Sequence, residues 1–174
     1  MKALVSLYDK TGPFPLVHAL QELGITILAT EGTAKALADH GVHADETRTI
    51  TGFSDLLDGG IKTIHPAVHE AIATGEIGIV IVGLMPVDDA SGEGLSLMDL
   101  GGVLLLRSAI KHHDAVIAVA CPTSRGDDII AALQGGSPLQ GIRAECALEA
   151  MEKVVEYERK TLARLKNMNK ERTC

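Results

Sequence analysis

Lys62, Thr63, His65 and His69 fall within eight residues of one another, around Pro66 and just after the pair Gly59-Gly60. Glycines let a backbone approach a ligand closely, and proline suits the first turn of a helix. The run therefore predicts a loop that delivers Lys62 and Thr63 to an anion at a helix start. His65 and His69 are four apart and can share a helix face. A zinc-protease helix would need Glu after the first His, where Pro66 stands, so no metal is expected. Thr30-Glu31-Gly32-Thr33 is a second candidate: amides at a helix start and threonine hydroxyls suit a phosphate. Helix capping by Thr30 or Thr33 reads equally well from these residues alone. A third cluster is the run from Asp99 through Leu100, Gly101 and Arg107 to Lys111. Arg107 and Lys111 share a helix face, and Asp99 is placed to cap that helix.

Elements able to carry these groups alternate along the chain. Strands are predicted over 3–7, 25–29, 77–82 and 115–120, the third being β-branched, continuous and apolar like a central strand. Helices are predicted over 14–23, 32–40 (stopped by Gly41), 66–73, 98–112, 124–133 and 143–166. Residues 44–51 read as irregular or a short strand, 53–57 as a helical turn and 85–95 as a loop rich in Asp, Gly and Ser. Such alternation predicts an α/β fold, a mostly parallel sheet covered by helices on both faces. Ligands of such sheets sit at the strands' carboxyl ends, where each of the three clusters falls.

Composition agrees. The 174 residues are 46% hydrophobic but only 2% aromatic, with no Trp, which suits aliphatic helices on a buried parallel sheet. A net charge of −7 argues against nucleic acid as partner. Cys121, Cys146 and Cys174 are an odd number without close spacing, so reduced thiols are expected rather than a disulfide frame. Neither a signal peptide nor a membrane span is read in the sequence, and a cytoplasmic protein is expected.

In order and type, the runs Ser6-Leu7-Tyr8-Asp9-Lys10-Thr11-Gly12, Gly59 to His69 and Met98 to His112 resemble IMP cyclohydrolase, the N-terminal domain of the bifunctional purine-biosynthesis protein. The resemblance runs from Met1 to the strand near Val119 and, more weakly, through the C-terminal helices. It implies a methylglyoxal synthase-like, Rossmann-like fold, with residues 1–174 as one cyclohydrolase-like domain and no transformylase domain. It implies ring closure of the phosphorylated formamido-imidazole-carboxamide ribotide to IMP, a homodimer, and neither metal nor organic cofactor. It places Lys62, Lys111 and Asp99 around the reacting formyl and carboxamide groups. For substrate binding it implies Ser6, Tyr8, Asp9, Lys10 and Thr11 after the first strand, and Thr30, Glu31, Gly32 and Thr33 after the second. Gly60, Ile61 and Thr63, Val82 and Gly83, and Leu100 and Gly101 complete that set.

Five positions depart from the family pattern. Met85 stands where the family has tyrosine, Gly83 where it has asparagine, Gly60 where it has arginine, Tyr8 where it has serine and Glu31 where it has glycine. Losing the tyrosine removes a hydroxyl from the proton-relay region, and Tyr8 offers one from another direction. Glu31 and Met85 also fit a different class, a non-catalytic nucleotide- or phosphate-sensing module like the regulatory domain of carbamoyl phosphate synthetase. Retention of Lys62, Asp99 and Lys111 together favours the enzyme. A cyclase for a related heterocyclic nucleotide is a close variant.

Overall fold

The computed structural model describes residues 1–52, 63–87, 95 and 98–173, with side chains to residue 170. The chain runs β1 (Lys2–Leu7), α1 (Phe14–Glu22), β2 (Thr26–Ala29), α2 (Glu31–Asp39), β3 (Asp45–Glu46) and α3 (Arg48–Thr51). It continues through α4 (Pro66–Ala73), β4 (Ile77–Gly83), α5 (Gly101–Lys111), β5 (Ile117–Ala120), α6 (Gly126–Leu133) and α7 (Leu139–Thr173). The strands form one five-stranded sheet in the order β3-β2-β1-β4-β5, with every neighbouring pair parallel. This is the α/β architecture that the alternation predicts.

Successive side chains of a strand point to opposite faces, and the two cores follow that alternation. Ala3, Val5 and Leu7 of β1 join Ile79 and Ile81 of β4 beneath α1, α2 and α6. Leu4, Val80 and Val82 face the other way, against α4, α5 and the middle of α7. β4 is buried along its apolar length because it is central and covered on both sides. Gly41 follows α2 at φ 77°, the left-handed conformation that ends a helix with little strain in glycine.

Three predicted segments differ most. The segment 44–51 resolves into the two-residue edge strand β3 and the single turn α3. The helix predicted from 98 starts at Gly101, because Asp99 is used as a side-chain cap ahead of it. α7 extends beyond both predicted ends of 143–166, running through Gly141 at its start. The expected turn at 53–57 lies outside the described residues, as do Gly60, Ile61 and Lys62. Cys121 and Cys146 are free thiols, and burial pushes them up to about 12 and about 11. Among the described residues no helix is long and apolar enough to cross a membrane.

Candidate functional site

The carboxyl ends of β1, β2 and β4 are stitched together by backbone hydrogen bonds. Tyr8 N–H donates to Gly83 O at 2.9 Å, and Thr30 N–H donates to Val5 O at 3.4 Å. Two polar clusters stand on this edge.

The first is built around Thr33. Its side chain is fully buried, so its hydroxyl must find partners within the fold. Thr33 Oγ1 accepts from Leu7 N–H at 3.0 Å and from the Thr30 hydroxyl at 3.0 Å. The Lys10 ammonium donates to the same oxygen at 3.3 Å and also to the Leu7 carbonyl. Thr30 occupies the N-cap position of α2 but gives that helix no side-chain cap. The capping alternative is therefore not how either hydroxyl is used. Gly32 lies beside Lys10: a Cβ there would meet Lys10 Nζ at 3.8 Å. An ammonium thus sits over the amino end of a helix, where partial positive charge already gathers. An anion resting there would relieve that like-charge pairing and gain charge-assisted hydrogen bonds.

The neighbouring loop is held by Asp9, whose Oδ1 accepts from both the amide and the hydroxyl of Thr11 at 2.8 Å. These bonds hold the Asp9 carboxyl below its ordinary range, the Thr11 amide contributing most. Asp9 and Thr11 therefore shape the loop that carries Lys10. Tyr8 projects outward, half-exposed. Glu31 turns along α2 to pair with Lys35 at 2.6 Å, and Ser6 lies in β1 opposite Val82 of β4.

The second cluster gathers at the start of α5. One oxygen of Asp99 accepts from Gly102 N–H at 2.6 Å and the other from Met85 N–H at 3.1 Å. The carboxylate thereby joins the end of β4 to the first turn of α5. Thr63, almost fully buried, packs on the same turn: a Cβ on Gly101 would come within 2.9 Å of Thr63 Oγ1, and one on Gly102 within 2.6 Å of Asp99 Oδ2. Both glycines stand where these side chains approach the backbone closely. The Asp99 N–H donates to the phenolic oxygen of Tyr157 at 2.7 Å. Leu100, half-exposed, opens the helix outward.

His65 occupies the N-cap of α4 and its Nδ1 accepts from Ala67 N–H at 3.2 Å. His69 stands one turn on, its Nε2 buried without a hydrogen-bond partner among the described residues. Burial lowers the His69 pKa, and a backbone contact with Thr63 partly opposes that.

The structure thus brings Lys10 to Thr30, Gly32 and Thr33, and brings Thr63 and Asp99 to Gly101 and Met85. It does not bring Lys111 to Asp99. α5 is an unbroken helix from Gly101 to Lys111, about 15 Å long at 1.5 Å per residue. Its far end leads into β5, so Lys111 stands exposed at the opposite edge of the sheet. Within one chain α5 therefore holds Lys111 and the Asp99 turn at its two ends. Tyr157 was missed, since no local pattern links a helical tyrosine to a loop 58 residues away. A separate cavity of about 570 Å³ lies between α1 and α6, lined by Pro13, Pro15, Leu16, Ala19, Ile130 and others, away from both clusters.

Comparison with known proteins agrees with the fold. The model of the MGS-like domain matches residues 12–113. The bifunctional purine biosynthesis protein PurH of Mycobacterium leprae is 35% identical over 90% of this chain and 34% of its own length. PurH of Mycobacterium ulcerans is 32% identical over the same shares. The chain thus spans about a third of the length of these curated relatives. The crystal structure of ForH superposes with a TM-score of 0.77 at 27% identity, covering 95% of this chain and 98% of that one. By sequence and by architecture, this chain belongs to the MGS-like domain family.

Proposed function

We propose that the chain is an IMP cyclohydrolase, of the cyclic amidine hydrolase class and acting in the ring-closing direction in purine biosynthesis. The observation that carries this reading is the spacing of the two clusters. Thr33 follows β2 and Asp99 stands beside the end of β4, with β1 between them. Strands lie about 4.8 Å apart, so the clusters are about 10 Å apart, a span that fits a ribotide with phosphate at one end and heterocycle at the other. The phosphate rests on Lys10 and the amides that open α2, with buried Thr30 and Thr33 holding Lys10 over that helix start. The carboxamide nitrogen attacks the formyl carbon, forming the ring C–N bond. That nitrogen passes one proton to the formyl oxygen. The formamido nitrogen then gives up its own proton and forms a double bond to the former formyl carbon as the oxygen leaves as water. Lys62, next to buried Thr63, stabilises the charge developing on that oxygen or carries the proton. Asp99 holds the turn of Gly101 and Gly102 against which the formyl group lies. This chemistry requires neither metal nor organic cofactor, and formyl transfer itself falls outside these residues. The working form is a cytoplasmic homodimer.

One observation favours a second reading, a nucleotide-sensing module. Both Asp99 oxygens already accept backbone amides, and Met85 supplies no hydroxyl. The deciding experiment incubates purified protein with the formamido ribotide, following ring closure by absorbance and binding by calorimetry. Turnover establishes the cyclohydrolase. Binding of ribotide or IMP without turnover establishes the sensor, and neither would overturn both.

A further inference from the structure

α7 carries two faces. Cys146, Ala147, Ala150, Val154, Tyr157 and Thr161 are buried against the rest of the chain. A second set, Leu148, Met151, Val155, Leu162 and Leu165, is exposed, Leu148 at 64% and Leu162 at 52%. Their spacings of three, four, seven and three keep one heptad register, with Glu158 at the step between Val155 and Leu162. Such a seam is the pattern by which one helix packs along another.

The charges beside the seam are segregated. One flank presents Glu145 and Glu152 in its first half and Arg159 and Lys166 in its second, again seven apart. Glu145 already meets Arg125, whereas Glu152, Arg159 and Lys166 have no ion-pair partner among the described residues. A parallel copy would set acid beside acid and base beside base. An antiparallel copy sets each acid beside a base.

We propose that α7 pairs antiparallel with α7 of a second copy of this chain, with Leu148 opposite the partner's Leu165 and Met151 opposite the partner's Leu162. In that register Glu152 lies beside the partner's Arg159, and Glu145 beside the partner's Lys166, each twice by symmetry. Val155 meets the partner's Glu158 near the axis, a polar step that fixes register at a cost in affinity. The flank bearing Ala147, Val154 and Thr161 turns toward the two protein bodies. This inference rests on the homodimer proposed above and gives it a geometry.

The test uses cysteine cross-linking and light scattering on Cys174→Ser protein. Leu148→Cys protein mixed with Leu165→Cys protein should oxidise to a covalent heterodimer. Leu148→Cys protein alone should not, since its two copies lie about 25 Å apart along the helices. Glu152→Arg or Arg159→Glu alone should weaken the dimer about tenfold, and the double swap should restore it. Glu158→Leu should tighten it. A dimer that cross-links through Leu148→Cys alone, or whose affinity ignores the charge swaps, overturns the antiparallel geometry but leaves the homodimer standing. A monomer throughout the micromolar range overturns both. Ring closure by the monomer would leave the catalytic reading intact.

Discussion

The phenolic oxygen of Tyr157 accepts the Asp99 backbone N–H at 2.7 Å, tying the C-terminal helix to the loop that opens α5. Tyr157 is buried, and burial holds its hydroxyl above its ordinary pKa, so it stays protonated at neutral pH. Its role is to position Asp99. Tyr157→Phe keeps the ring but leaves a partly buried N–H without its acceptor, a loss of about 1–3 kcal/mol. Thermal unfolding followed by circular dichroism should shift down by several degrees, at about 2–4 °C per kcal/mol for a chain of this size. An unchanged melting temperature would remove Tyr157 from the site's support.

Thr33 and Lys10 should separate stability from binding. Thr33→Val keeps volume but strands Leu7 N–H and the Thr30 hydroxyl, so it should destabilise by about 1–3 kcal/mol. Lys10→Met removes an exposed charge and should leave stability nearly unchanged. Its affinity for the ribotide should fall about tenfold or more, measured by calorimetry. That loss should shrink at high salt, as an exposed charge contact requires. Equal affinity in wild type and Lys10→Met would remove the phosphate from this cradle.

Much of this was legible in the chain. The β-branched run 77–82 reads as a central strand and is one, whereas the close approach of Thr63 and Asp99 to Gly101 and Gly102 is visible only in the fold. Asp99 reads as a cap because the cap lies three residues from its amide. Contacts across the fold were hidden, Tyr157 with Asp99 foremost. The family resemblance sets Lys111 beside Asp99, whereas the unbroken helix α5 carries its two ends to opposite ends of the parallel sheet. Gly141, a poor helix former, hides the start of α7 at Leu139.

His69 gives the fold a pH dependence of definite sign. Burial lowers its folded pKa below the unfolded value of 6.5, so the fold favours the neutral ring. The stability this contributes is present above pH 6.5 and is lost as pH falls below it. Urea midpoints measured from pH 7.5 down to 5 should fall more for wild type than for His69→Gln. Parallel curves for the two proteins would show that His69 does not carry the dependence.

The catalytic assignment makes unequal demands on three charged residues. Lys62→Ala should lower kcat about 100-fold or more with the fold intact, the scale expected for losing a proton carrier or an oxyanion donor. Asp99→Asn replaces one accepting oxygen by an amide facing a backbone donor, Met85 N–H or Gly102 N–H. It should therefore lose both stability, about 1–3 kcal/mol, and turnover, with binding of the phosphate end retained. Lys111→Ala should change kcat less than about threefold, since about 15 Å of helix separates it from the start of α5. Single-turnover ring closure, read by absorbance, checks all three. A loss at Lys111 as large as that at Lys62 would contradict the placement of the reacting centre within one chain, because only Lys111 of a neighbouring copy could then reach it.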